Sequence, residues 1–310
     1  MSMNQAYCIV MAITVLLGMA WLLIRLQRRG MKITPAVFGF FFALILGWAL
    51  AKLFYVALLF HRVWPRFGWD AFGRFKGAEF SFFGGCAGVL LGMALGAKTA
   101  KVPVKPFLDA FAPCGAFMIA GARYAERYLG LLGVGSLTDV PAFCRFPFAI
   151  SNEWQEWFTA VFMLEALFAL VIAAVFALRK KEGWIPGLCL ERTAFYLCLT
   201  QILCENLRSQ GLKWGFVRVE QLLCAVTLAG LLLYSCLQTG ERGFWKRFWP
   251  LLGSLGCIGA IVGIEFAIDR TDISPYFWYA VMILVLAVIG WMECFCADRR
   301  LNELRNQYRS

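Results

Sequence analysis

Histidine is nearly missing from this 310-residue chain, which has only His61. Cysteine is not scarce, with 12 copies, but no two form a CxxC pair. Cys8, Cys86, Cys189, Cys198, Cys204 and Cys224 each stand alone inside apolar stretches. A structural metal site needs several clustered Cys or His ligands, so the sequence excludes one. The cysteines read instead as small hydrophobes packed between helices. Charge is thin as well. Charged residues make up 16% of the chain and hydrophobic ones 61%, against about a quarter and about a half in soluble domains. The chain also lacks a low-complexity tract, a convincing internal repeat and any stretch polar enough for a soluble domain. Its net charge of +11 does not indicate a nucleic-acid partner. The Lys and Arg residues gather at the ends of apolar runs, where membrane topology accounts for them.

What the chain has in abundance is apolar runs near the roughly 20 residues needed to cross a bilayer. Nine segments stand out, at about 6–26, 35–60, 82–97, 107–129, 158–178, 186–207, 217–238, 249–268 and 275–296. They predict an all-α polytopic membrane protein built as a helical bundle. The first run is too long for a signal-peptide core and lacks a small-residue cleavage site, so it reads as a retained anchor. Basic clusters alternate along the chain: "RLQRRGMK" after the first segment, Lys98, Lys101 and Lys105 after the third, and "RKK" at 179–181 after the fifth. "ERGFWKR" follows the seventh and "DRRLNELRNQYR" the ninth. Positively charged loops face the cytoplasm, which predicts an N-terminus outside and a C-terminus inside. The outward connections at 61–79 and 130–157 carry Trp64, Trp69, Trp154 and Trp157, suited to an interfacial aromatic belt. Residues 1–240 read as a membrane core and 241–310 as an appended transmembrane hairpin with a basic cytoplasmic tail.

The stretch "SFFGGCAGVLLGMALG" places Gly84, Gly88, Gly92 and Gly96 four residues apart, so one helical stripe is nearly bare of side chains. Such a stripe lets a neighbouring helix, or a lipid tail, lie against the backbone.

Ionisable side chains inside a span cost about 2.5–3.5 kcal/mol on insertion scales and usually face a cavity or a partner. This chain carries Lys52, Arg123, Glu126, Glu165, Glu205 and Arg208 in such places. Glu191 and Arg192, near an inner helix end, fit snorkelling. Arg123 and Arg127 stand four apart, and Glu205 and Arg208 three apart, so each pair is expected to share a helix face. Both clusters lie toward the outward end of their segments, where a guanidinium can bind phosphate through two parallel hydrogen bonds. The same residues serve equally well as interhelical Arg–Glu pairs holding the bundle together.

In chain order the sequence carries "YCIVMAITVLLG" from Tyr7, "AKLFYV" at 51–56, "SFFGGCAGVLLG", "DAFAPCGAFMIAGARYAERYLG" from Asp109, "LEALFALV" and "ILCENLR". Together these motifs resemble the prolipoprotein diacylglyceryl transferase family. The resemblance runs through roughly residue 235 and implies seven core helices with the N-terminus outside, in a bacterial inner membrane. It also implies a reaction. A lipobox cysteine thiolate of a prolipoprotein attacks the glyceryl carbon bonded to the phosphate of phosphatidylglycerol, and glycerol phosphate leaves, with no metal or organic cofactor. Such chemistry needs a group that yields thiolate and cations for the departing phosphate.

Carried over by position, the resemblance assigns Tyr7, Gly84, Gly85, Arg123, Glu165, Glu205 and Arg208 to matching family positions. Arg123, Glu126, Glu165 and Glu205 form the candidate catalytic set. Tyr7, Lys52, Phe83, Gly84, Gly85, Arg127, Gln201 and Arg208 form the candidate substrate-binding set. Several polar positions depart from the pattern. Phe83 stands where the family has histidine, Lys52 and Gln201 where it has arginine, and Glu126 where it has asparagine. Leu131 and Phe162 replace a glutamate and a glutamine. Three functions fit this pattern: a diverged diacylglyceryl transferase, a non-catalytic lipid- or lipopeptide-binding relative, and a small-molecule transporter. Against the last, the chain has no paired interrupted helices related as two halves.

Overall fold

A computed structural model describes residues 3–74, 79–131, 133–179, 185–209, 213–214, 217–240, 243–271 and 273–307. Lys180 and Lys181 of the basic cluster at 179–181, Glu241 and Arg242 of "ERGFWKR", and residues 75–78 of the 61–79 connection lie outside these residues. The elements, in order, are α1 (Met3–Arg28), α2 (Thr34–Leu58), α3 (Phe60–Phe67), α4 (Asp70–Gly73), α5 (Phe82–Thr99) and α6 (Val104–Ala125). A 3-10 turn (Glu126–Leu129) follows, then β1 (Ala149–Ser151), β2 (Trp157–Thr159), α7 (Val161–Leu178) and α8 (Leu188–Leu207). The chain continues with β3 (Lys213–Trp214), β4 (Val217–Arg218), α9 (Val219–Gln238), α10 (Phe244–Arg270) and α11 (Pro275–Gln307).

Each of the nine apolar segments forms one long helix. Seven are long and apolar enough to cross a membrane: α1, α2, α5, α7, α9, α10 and α11. The two that fall short, α6 and α8, carry Asp109 and Arg123, and Glu191, Arg192 and Glu205. A helix that must present charge to an interior site cannot also be uniformly apolar. The protein is an all-α, multi-pass membrane protein. Helix α11 has 33 residues, about 50 Å at the helical rise, so it outruns a hydrocarbon core of roughly 30 Å.

Contacts divide the chain into two units, Met1–Thr193 with Arg208–Glu220, and Ala194–Leu207 with Gln221–Ser310. The first unit is organised by pairs of antiparallel helices. Along α5, Gly84, Gly88, Gly92 and Gly96 are all buried. A Cβ at Gly84 would sit 2.6 Å from the Leu50 carbonyl oxygen, and one at Gly88 would sit 2.7 Å from the Gly47 Cα. At Gly92 it would meet the Ala43 backbone, and at Gly96 it would lie 2.7 Å from the Pro35 carbonyl oxygen. The occupant of the glycine stripe is therefore helix α2. That helix answers with its own small residues at the same spacing, Gly39, Ala43, Gly47 and Ala51, all buried. Two bare stripes let the backbones touch, so dispersion contacts replace the side-chain interlocking that lipid does not drive. Ser81 caps α5 by accepting from the Gly84 N–H at 3.2 Å, and its own N–H donates to the Ala51 carbonyl at 3.0 Å. The start of α5 is thereby pinned to α2.

Helix α1 packs antiparallel to α6. Gly121 faces Thr14, Gly18 faces Met118, and Trp21 meets Phe117 edge-on with ring centroids 5.8 Å apart. Near the other end the Arg25 Nε donates to the Ala110 carbonyl at 3.1 Å. Asp109 on α6 accepts from the Gly187 N–H at 2.6 Å and the Leu190 N–H at 2.9 Å. A carboxylate from one helix thus satisfies orphan amides at the start of another.

In the second unit, Tyr196 on α8 donates its hydroxyl to the Gly290 carbonyl of α11 at 3.2 Å. Gln221 and Glu265 join α9 to α10 by a hydrogen bond. The Gly240 N–H, just past α9, donates to the Glu303 carboxylate at 3.0 Å, and the Arg247 Nε caps α9 at the Cys236 carbonyl at 2.8 Å.

The α2–α5 contact is expected to tolerate no side chain. Gly88→Leu should cost about 1–3 kcal/mol from overpacking and lower the unfolding midpoint in detergent by several degrees. Gly230→Ala, inside α9 where the added Cβ meets nothing within 4 Å, should not lower it and should raise it slightly through helix propensity. Thermal unfolding of the two purified variants checks this.

Candidate functional site

At one end of the first unit, four charged side chains withdraw from water together. Arg123 lies in the last turn of α6, Glu126 in the 3-10 turn that ends it, Glu165 in the first turns of α7, and Arg208 just past α8. Their relative exposures are 2%, 8%, 5% and 9%, so each must find its partners inside the protein. The Arg123 Nη1 donates to the Glu126 Oε1 at 2.5 Å, and its Nε lies 2.8 Å from the Glu165 Oε2. Arg208 grips Glu165 in bidentate fashion, Nε to Oε1 at 2.8 Å and Nη2 to Oε2 at 2.6 Å. The Arg208 Nη2 also donates to the Glu126 Oε2 at 3.0 Å. Each carboxylate bridges both guanidiniums, and within these four side chains the formal charges cancel.

Local geometry holds this ring in place. The α-helix stops at Ala125 and tightens to 3-10, which turns Glu126 back toward Arg123 and swings Arg127 elsewhere. Arg127 stacks over Phe146, its guanidinium carbon 4.0 Å from the ring centroid. The expected shared face of Arg123 and Arg127 is therefore absent, because the periodicity changes between them. Gly133, at φ +77°, brings backbone so close that a Cβ would strike the Glu126 carboxylate and sit 3.4 Å from the Arg208 Nη2. The Gly133 carbonyl accepts from the Phe162 N–H at 3.1 Å, and the Val134 carbonyl accepts from the Ser209 N–H and hydroxyl, each at 3.0 Å. The described residues of the 130–160 connection thus form a structured cover. β1 pairs with β2 antiparallel, and Val134, Ala160 and Phe162 form a small core beneath.

Aromatic residues line the other side. Phe82 lies under the Arg123 guanidinium at 3.8 Å, a stacking contact available to arginine because its cation is planar and weakly hydrated. Phe83, next to it, is half-buried. Tyr7, half-buried near the start of α1, lies within electrostatic reach of Glu126 and Arg123. Gly84 belongs to the α2 interface. Gly85 also faces α2, its absent Cβ in ordinary contact range of the Ala51 side chain at 3.6 Å.

Lys52 is engaged with other groups. It is 2% exposed, and its Nζ donates to the Arg74 carbonyl at 2.7 Å and to the Glu79 carbonyl at 3.2 Å. The Glu79 carboxylate is 3.5 Å away and also pairs with the Arg74 Nε at 3.2 Å. Phe80 and Tyr55 present ring faces to the ammonium at 4.7 and 5.4 Å. Its role here is to anchor both ends of the segment leading into α5. Gln201 and Glu205 belong to the second unit, where the Gln201 Nε2 donates to the Glu205 Oε1 at 3.0 Å across one helical turn. Among the described residues, no three His, Cys, Asp or Glu side chains are grouped to hold a metal ion.

Two contributors escape a reading of the sequence alone. Phe82 is indistinguishable from its neighbours in "EFSFFGG", and Gly133 is inconspicuous within "LGLLGVG", where its positive φ is the feature that matters.

Breaking the ring from one side should be costly, because it leaves a buried guanidinium uncompensated. Glu165→Ala is expected to lose about 3–5 kcal/mol, with an Arg208→Met partner change recovering a measurable part. A double-mutant cycle by chemical unfolding in detergent measures that coupling.

No curated protein matches this chain. The family model described as prolipoprotein diacylglyceryl transferase matches residues 3–236, about three quarters of the sequence. The match holds α1 through most of α9, and with them every member of the Arg–Glu ring. The chain belongs to the prolipoprotein diacylglyceryl transferase family.

Proposed function

We propose that this protein transfers a diacylglyceryl group from phosphatidylglycerol to the lipobox cysteine of a prolipoprotein, at the outer face of a bacterial inner membrane. The N-terminus lies outside and the C-terminus in the cytoplasm, as the alternating basic connections suggest. The observation that carries the reading is the convergence of two buried guanidiniums, Arg123 and Arg208, at one end of a membrane bundle. Planar cations in a water-poor site suit a phosphate that gains charge as its ester bond breaks.

In this reading the substrate thiol gives its proton to Glu165, and the thiolate sulfur bonds to the glyceryl carbon. The carbon–oxygen bond to phosphate breaks, and glycerol phosphate departs between the arginines. Phe82 and the 130–160 cover keep water, the competing nucleophile, away. Tyr7, within electrostatic reach of Glu126 and Arg123, adds to the polar lining. Lys52 acts at one remove, by fixing the entry into α5. The hairpin of residues 241–310, beyond the family match, is an addition to the transferase core.

One observation favours a second reading, a lipid- or lipopeptide-binding relative without turnover. Phe83 can neither take nor give a proton, and it stands where the family resemblance implies histidine.

A transfer assay separates the two. With phosphatidylglycerol vesicles and a lipobox peptide, the purified protein should release glycerol phosphate. Arg123→Ala should lower the rate about 10²–10³-fold, and Phe83→His should raise it. Phosphatidylglycerol binding that weakens on Arg123→Ala, with no glycerol phosphate from either protein, would establish the binding relative instead.

A further inference from the structure

The ring that defines the site is already neutral. Arg123 and Arg208 contribute two positive charges, and Glu126 and Glu165 two negative ones, all at 9% exposure or less. A phosphodiester monoanion entering this arrangement would bring an uncompensated negative charge into a dry interior, which is strongly unfavourable. Either the ligand stays out or one carboxylate gives up its charge.

The two carboxylates are not equivalent. Glu165 sits on a regular helix, is 3% exposed at its side chain, and accepts a bidentate pair from Arg208. Glu126 stands on a four-residue 3-10 turn, is 11% exposed at its side chain, and places one oxygen on each arginine. Two oxygens bridging two guanidiniums is also the geometry a phosphodiester would adopt there. Among the described residues, the charged or titratable groups around Glu126 include Arg123 on α6, Glu165 on α7, Arg208 past α8 and Tyr7 on α1, with Glu220 at the start of α9 acting on Arg123 and the Arg218 Nη1 donating to the Arg208 carbonyl at 2.9 Å.

We propose that Glu126 is a built-in stand-in for the ligand's phosphate and sets the charge class that the site accepts. An anionic phosphodiester binds only as Glu126 takes up one proton and its side chain leaves the bridge between Arg123 and Arg208. The charge within the ring is then unchanged, with two guanidinium cations facing the Glu165 carboxylate and the phosphodiester, and Glu126 neutral. Binding of phosphatidylglycerol is therefore linked to uptake of a single proton, while the unliganded site is stable without an anion. This inference rests on the reading of the ring as a phosphate site.

The test uses the full chain in phosphatidylcholine nanodiscs, with a fluorescent short-chain phosphatidylglycerol as probe. Affinity is measured between about pH 5 and pH 9 for the natural sequence, Glu126→Gln, Glu126→Asn and Arg123→Ala. One-proton linkage predicts affinity rising about tenfold per pH unit of acidification across part of that range. Both amide variants should bind with no pH slope, and about tenfold or more tightly than the natural sequence at the alkaline end. The slope of the natural sequence is independent of how well any variant folds. A flat profile for the natural sequence, or a slope that persists in Glu126→Gln, overturns the proposal. If binding is flat yet falls on Arg123→Ala, the phosphate-site reading survives that failure. If no protein binds the probe at any pH, both are wrong.

Discussion

Two guanidiniums and two carboxylates held away from water are the constraint around which the site end of the first unit is built. A buried charge is tolerable only when its partners are in place, and here they come from α6, the 3-10 turn after it, α7 and the segment past α8. The α6 helix must end at Ala125 so that Glu126 can turn back. Gly133 must be glycine, because the cover passes so near the Glu126 carboxylate. Phe82 must stand at the head of α5 to stack on Arg123. Each local choice makes sense as a means of closing one ring.

The head of α5 is itself fixed by a different kind of contact. Lipid tails give apolar helices little reason to associate, so close backbone packing takes the place of the hydrophobic effect. The small-residue stripes of α2 and α5 supply it. Ser81 and Lys52, both buried, then tie Arg74, Glu79 and the start of α5 to α2 through hydrogen bonds. Phe82 inherits its position from that arrangement. A weak, distributed interface thus places an aromatic ring under a guanidinium to within the reach of a stacking contact.

Charge neutrality also shapes what the site can do. An isolated arginine pair would attract any anion that reached it, including free phosphate. If the proposed displacement of Glu126 operates, a pair already bridged by carboxylates is selective, because a ligand must bring enough of its own binding energy to move that side chain. Members of this family act on lipid and prolipoprotein substrates, and the acyl chains of a lipid carry that energy in their own contacts, apart from the phosphate.

Much of this was legible in the sequence. The count of long helices, their approximate bounds and the expensive charges at Arg123, Glu126, Glu165 and Arg208 follow from hydropathy and the cost of burying charge, both local properties of the chain. So does the expectation that Gly84, Gly88, Gly92 and Gly96 face something close. What no local rule could supply was the partner. That the glycine stripe meets α2, that Lys52 serves the loop before α5, that Arg127 turns away to Phe146, and that Phe82 is the aromatic neighbour of Arg123 are facts about residues distant in sequence. Periodicity fixes which side chains share a helix face, but not which helix will oppose that face. It also fails wherever the helix itself changes pitch, as it does at Ala125. Sequence determined that charge must be buried here, and tertiary structure decided how it is neutralised, because pairing depends on distances that only the assembled bundle sets.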